Sequence, residues 1–207
     1  MAETPLAYAD RVRTLQGYRT VSRLLADGDN IFIDPYSALI STHARIGTGN
    51  VFYPYVRIDA VPGTVRIGDN NRFFEGTRID ATGGGHVAID SDNEFGPHAV
   101  TLMANRPGAA IAISRGVRLL GRIEVAGVSV LEDGSQILGD INAVNVSLAG
   151  GGSYREPDAD LRGAVLKGRG RATGIVLGRG QVINGDGDFA ASPVEDQSVY
   201  HPRAAQL

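Results

Sequence analysis

The chain has no cysteine and no tryptophan. Without thiols it forms no disulfide, has no cysteine nucleophile and offers no thiolate to a metal. Aromatic residues make up only 6% of its 207 positions, so whatever fills the interior is thin and modest in size. Charge of one sign is missing too. Lys and Arg number 20 against 23 Asp and Glu, a net −3, which gives no global basic field for nucleic acid. No apolar run approaches the length of a membrane span. The start, Met1-Ala-Glu-Thr-Pro-Leu6, lacks the basic and apolar regions of a signal peptide. A single cytoplasmic domain, free of membrane and nucleic acid, is therefore expected.

Glycine, by contrast, is abundant at 28 residues. Around it runs a ladder of Asn-x-Phe triplets: Asn30-Ile-Phe32, Asn50-Val-Phe52, Asn71-Arg-Phe73 and Asn93-Glu-Phe95. A motif returning every twenty or so residues marks a solenoid, one coil per repeat. Within coils, apolar anchors recur at six-residue steps: Ile46, Phe52, Ile58, then Ile67, Phe73, Ile79. That is not a helical period. It suits short strands joined by tight corners, where Gly and Asn supply positive φ. The anchor column continues through Leu119, Ile137, Leu161 and Ile183, giving about eight coils.

Residues 1–27 are expected to be a helical cap, 28–186 the β-helix and 187–207 a tail. Thr4 suits an N-cap and Pro5 the first helical position. Leu6, Val12, Leu15, Leu24 and Leu25 form the expected buried face, with Arg11, Arg13, Arg19 and Arg23 exposed, and Gly17 is a break point. Residues 149–160 read as a loop or outward excursion. Tyr200-His201-Pro202 is a segment that would dock on a neighbour.

Ile67-Gly-Asp-Asn-Asn-Arg-Phe73 and Phe95-Gly-Pro-His-Ala-Val-Thr101 resemble the hexapeptide-repeat superfamily of left-handed parallel β-helices. The resemblance runs over residues 28–148 and more loosely to 185. A second, local resemblance covers Leu131 to Gly150, where Ile137-Leu-Gly-Asp-Ile141 is similar to bactofilins, β-helices that polymerise.

The first resemblance implies a CoA-dependent acyltransferase, a homotrimer acting on a small amine or alcohol. A histidine would be general base, with a pKa near neutrality. Two candidates are His98, in Phe95-Gly-Pro-His98, and His86, after Thr82-Gly-Gly-Gly, whose backbone N–H groups would suit an oxyanion. Glu75 is the candidate to orient a neighbour's histidine. Lys167, Arg169 and Arg171 alternate with glycines and point to one side if extended, a site for CoA phosphates.

Two other chemistries bear on these residues. His43 and His86 share a column with Thr64 between them, about 10 Å apart, too far for joint metal ligation. The histidine spacing also differs from that of the γ-carbonic anhydrases, so no metal is expected. Arg57, Asp59, Arg78 and Asp80 form a grid expected to be a lateral ion-pair patch on a flat outer face, with a trimer interface or a polar substrate cleft as the functional reading. A non-catalytic scaffold, or a lyase or isomerase using Asp59, Asp80 and Glu75, are the alternatives.

Overall fold

A computed structural model describes residues 3–201. Its strands stack as parallel coils into a β-solenoid of about eight turns, with two short helices at one end. Each coil contributes strands to three faces. The first face starts with Ile31–Phe32, Val51–Phe52, Arg72–Phe73 and Glu94–Phe95. The second holds Leu39–Ile40, Arg57–Asp59, Arg78–Asp80 and Val100–Met103. From Arg118–Ala126 onward, single long strands span both faces, so the two join into one sheet. The third face is a separate sheet from Arg45–Ile46 to Val176–Leu177.

The triplets explain the first four coils. Phe32, Phe52, Phe73 and Phe95 stack face to face with centroids 4.8, 5.0 and 4.8 Å apart, the strand spacing itself. Leu119, Ile137, Leu166 and Ile183 continue the column in register. The seventh anchor is thus Leu166. Leu161, expected there, lies in a 3-10 turn and is 45% exposed, because the excursion between Leu148 and Val165 is longer than the six-residue period assumes.

The asparagines form an amide ladder inside the corner. The backbone N–H of Asn50 donates to Asn30 Oδ1 at 3.0 Å, Asn71 N–H to Asn50 Oδ1 at 2.9 Å, and Asn93 N–H to Asn71 Oδ1 at 3.0 Å. Val117 N–H donates to Asn93 Oδ1 at 2.7 Å and ends the series. Each carboxamide oxygen satisfies the corner amide of the next coil, and those of Asn50, Asn71 and Asn93 are buried.

The later coils bend differently. Gly121, Gly139, Gly168 and Gly185 stand in register where the long strands turn from first to second face. A Cβ on Gly139 would lie 1.9 Å from the Gly168 carbonyl oxygen, and Gly139 has φ +127°. Only glycine fits both demands.

Both ends are covered. Helices α1 (Pro5–Leu15) and α2 (Val21–Leu25) flank the expected break at Gly17, with the Thr4 hydroxyl capping Ala7 N–H at 3.2 Å. The buried face differs from expectation. Val21 and Leu24 are buried, whereas Leu15 and Leu25 are 73% and 57% exposed. Arg13 is the buried residue of α1, because its guanidinium donates to the carbonyl of Tyr36 at 2.7 Å. At the other end Phe189 is fully buried, and Glu195–Asp196 pairs antiparallel with Gln181 and Val182. Pro202 lies outside the described residues.

Candidate functional site

On a strand facing water, alternate side chains point outward. Two outward rows run along the first face. One is charged or polar in its middle: Arg72, Glu94, Arg118 and Gln136 in register. The other runs Tyr53, Phe74, Gly96, Leu120, Leu138 and Lys167, linked coil to coil by backbone bonds and strand register.

On the later coils these rows floor a cavity of about 230 Å³. The excursion supplies one wall through Tyr154 and Arg162, and the C-terminal segment supplies another through Tyr200 and His201. Three cations line it, Arg118, Arg162 and Lys167, and no carboxylate does among the described residues. The Arg118 guanidinium sits 4.0 Å from the Tyr154 ring centroid, while its Nε pairs with Glu94 at 3.1 Å. Arg162 is oriented by its Nε bond to the Glu156 carbonyl at 2.7 Å. Lys167 makes no ion pair with any described residue. The Tyr200 hydroxyl donates to the Glu195 carboxylate. That bond holds the phenol proton and raises its pKa, so Tyr200 stays a neutral hydrogen-bonding group near pH 7.

The arrangement can hold an anion against guanidinium and ammonium groups, beside an aromatic ring able to stack. Its volume is below that of a drug-sized site, so it takes the head of a ligand and leaves the remainder on the first face.

The structure separates the three basic residues expected to act together. Lys167 is in this cavity. Arg169 is on the second face, in a fork pair with Asp186 at 2.9 Å, one rung of the column Arg122, Asp140, Arg169, Asp186. That pairing raises the Arg169 pKa and lowers that of Asp186. Arg171 donates to the Thr173 hydroxyl at 2.9 Å and lines other depressions. The strand bends at Gly168 and Gly170, with φ +118° and +126°, so one-sided projection fails.

His98 and Glu75 are exposed on adjoining coils at the corner between first and second faces. Neither side chain makes a hydrogen bond to a described residue. His98 has φ +76°. Its coil pairs directly with the strand carrying Arg118, and Gly96 N–H bonds the Leu119 carbonyl at 2.8 Å. His86 lies elsewhere, on the third face, with Nδ1 2.8 Å from the Thr64 hydroxyl in the expected column.

The Arg/Asp grid pairs as expected, but its carboxylates are covered. Asp59 and Asp80 are buried, at 6% and 5% exposure, not displayed on an outer face. Arg57 and Arg78 fold back to pair with them at 2.7 and 2.8 Å within the same strands. Tyr18 from the cap donates to Asp59 at 2.5 Å, and Thr82 donates twice to Asp80. These carboxylates are consumed structurally. No cluster of three or more His, Asp or Glu among the described residues is placed to hold a metal ion, and no described helix is long and apolar enough to cross a membrane.

Arg118, Tyr154 and Arg162 were missed in sequence. The available signal was Tyr154-Arg155 in an otherwise glycine-rich excursion; nothing local said that the loop closes onto coils five to eight.

No family model matches the chain, and no curated protein matches it. Among solved structures, PerB from Caulobacter crescentus in complex with CoA and GDP-perosamine aligns with 13% identity over 90% of this chain and 66% of that one, at a TM-score of 0.21. The chain thus spans just under two thirds of that protein. At this TM-score the similarity assigns neither chemistry nor substrate.

Proposed function

We propose that the protein is a CoA-dependent acyltransferase of the left-handed hexapeptide-repeat type, acting on a small amine or alcohol as a cytoplasmic homotrimer. The observation that carries the reading is the convergence of Arg118, Arg162 and Lys167 beside the Tyr154 ring in a cavity without carboxylates. Phosphates of CoA bind the cations, and the adenine ring stacks on Tyr154. The arm then runs back along the first face. From the Lys167 strand to the Gly96 coil is three strand spacings, about 14 Å, which brings a thioester to the corner of His98.

His98 is the general base in this reading. Its imidazole takes the proton from the acceptor N–H or O–H as that atom bonds to the thioester carbonyl carbon. Collapse of the tetrahedral intermediate breaks the C–S bond, and the departing thiolate receives the proton. Glu75 orients a neighbour's histidine. His86 is the alternative base, on a different face. Of the three alternating basic residues the reading uses Lys167.

Calorimetry with CoA tests it. Binding by the native chain that is lost in the Lys167→Ala, Arg162→Ala double variant supports the proposal. No binding at millimolar CoA overturns it.

A scaffold role is the second reading. The strands at 118–126, 136–144 and 165–173 pair residue for residue over nine positions, the regular stacking a bactofilin-like assembly would use. Against end-to-end growth, α2 covers one end and Phe189 with the antiparallel segment covers the other.

A further inference from the structure

We infer that Tyr53 and Phe74, at the far end of the outward row that runs through Leu120 and Leu138, form an acyl-binding track, so that the donor is a thioester with an acyl group larger than acetyl. The inference rests on the acyltransferase reading above and names its substrate class.

An exposed sheet face normally carries polar side chains. Here the charged row, Arg72, Glu94 and Arg118, behaves so, but the adjacent row is apolar for five consecutive coils. Tyr53 and Phe74 stack with centroids 4.7 Å apart and rings 17° from parallel, half-buried rather than covered. Gly96 makes room for this arrangement. A Cβ there would stand 2.4 Å from Phe74 Cβ and 3.0 Å from its Cγ. The row is continuous with the cationic cavity, because Leu138 pairs with Lys167 in register and itself lines the cavity.

One end of the track therefore holds anion, its middle passes the His98 corner, and its far end offers two stacked rings. A ligand whose phosphate end sits at Lys167 and whose thioester lies at Gly96 must extend its acyl group over Phe74 and Tyr53. The occupant that fits is the apolar tail of the same molecule whose anionic head the cavity holds.

The test is calorimetry of CoA, acetyl-CoA and octanoyl-CoA on the full chain, the Phe74→Ala variant and, as a second variant, Tyr53→Asn. Octanoyl-CoA is expected to bind the native chain about tenfold or more tighter than CoA. Either variant should reduce that advantage to about twofold while leaving the CoA affinity in place. If octanoyl-CoA and CoA bind alike, the track is wrong and the acyltransferase reading stands. If none of the three binds, both fall. If the variants keep the discrimination but change the mass in solution, the row is covered by a second copy and the inference is overturned.

Discussion

The guanidinium carbon of Arg118 lies 4.0 Å from the ring centroid of Tyr154, joining the fifth coil to a loop that leaves the solenoid after the sixth. The same Arg118 pairs with Glu94 on the coil before. Removing the ring should therefore disturb both a ligand platform and a wall of the cavity. Tyr154→Ala is expected to weaken CoA binding by about tenfold, the equivalent of about 1.4 kcal/mol. Tyr154→Phe keeps the ring and should bind within about twofold of native. Isothermal titration of both variants distinguishes stacking from a hydrogen bond of the phenol.

The base assignment separates two histidines on different faces. His98→Ala should lower turnover by about 10²–10⁴-fold, with CoA affinity unchanged. His86→Ala should leave turnover near native. The reverse pattern would move the reacting centre to the third face, and the measurement is steady-state kinetics alongside CoA titration.

The amide ladder predicts a stability loss without a change in the cavity. Asn71→Ala removes the acceptor of the Asn93 N–H and the donor to Asn50 Oδ1. Asn50 Oδ1 keeps the backbone N–H of residue 71, so the buried Asn93 N–H left unpaired should cost about 1–3 kcal/mol, read as a lowered denaturant midpoint with the slope unchanged.

Two glycine substitutions separate crowding from backbone strain. Gly139→Ala meets the Gly168 carbonyl and a positive φ together, and is expected to cost more than about 4 kcal/mol. Gly174→Ala has φ +65° but open space around it, so about 1–2 kcal/mol is expected. Equal losses would show that the close approach of the long strands is not what fixes glycine at the bend.

Tyr18 gives a pH signature at the cap. Burial, and then its bond to Asp59, raise its phenol pKa above the usual value of 10.0. A raised folded-state pKa means the stabilisation is intact below the unfolded value and is lost as pH climbs through the folded one. Alkaline titration of stability should fall less steeply for Tyr18→Phe than for the native chain, although the variant starts less stable.

The periodic part of the fold was legible because one residue type sets each layer. Phe at Asn-x-Phe fixes the stacking column, and Asn fixes the corner. Where the coil length varies the reading slipped, placing Leu161 in the column that Leu166 occupies. The helical cap was visible from Thr4 and Pro5, but its buried face was not, since Arg13 reaches a carbonyl 23 residues away in sequence. For the site, alternation located Lys167 but grouped it with Arg169 and Arg171. The bends at Gly168 and Gly170 undo that grouping, and bends of this kind depend on the neighbouring strands. Arg118 and Tyr154 are 36 residues apart in sequence, and only the return of the excursion makes them partners.

The closing segment carries a last consequence. Phe189 plugs the final turn, and Glu195–Asp196 runs against the direction of every other paired strand. A chain cut before Phe189 would present Gln181–Asp188 as a bare, eight-residue template with apolar core open beside it. Residues 189–196 thus determine whether the same eight turns make a discrete particle or the seed of a fibre.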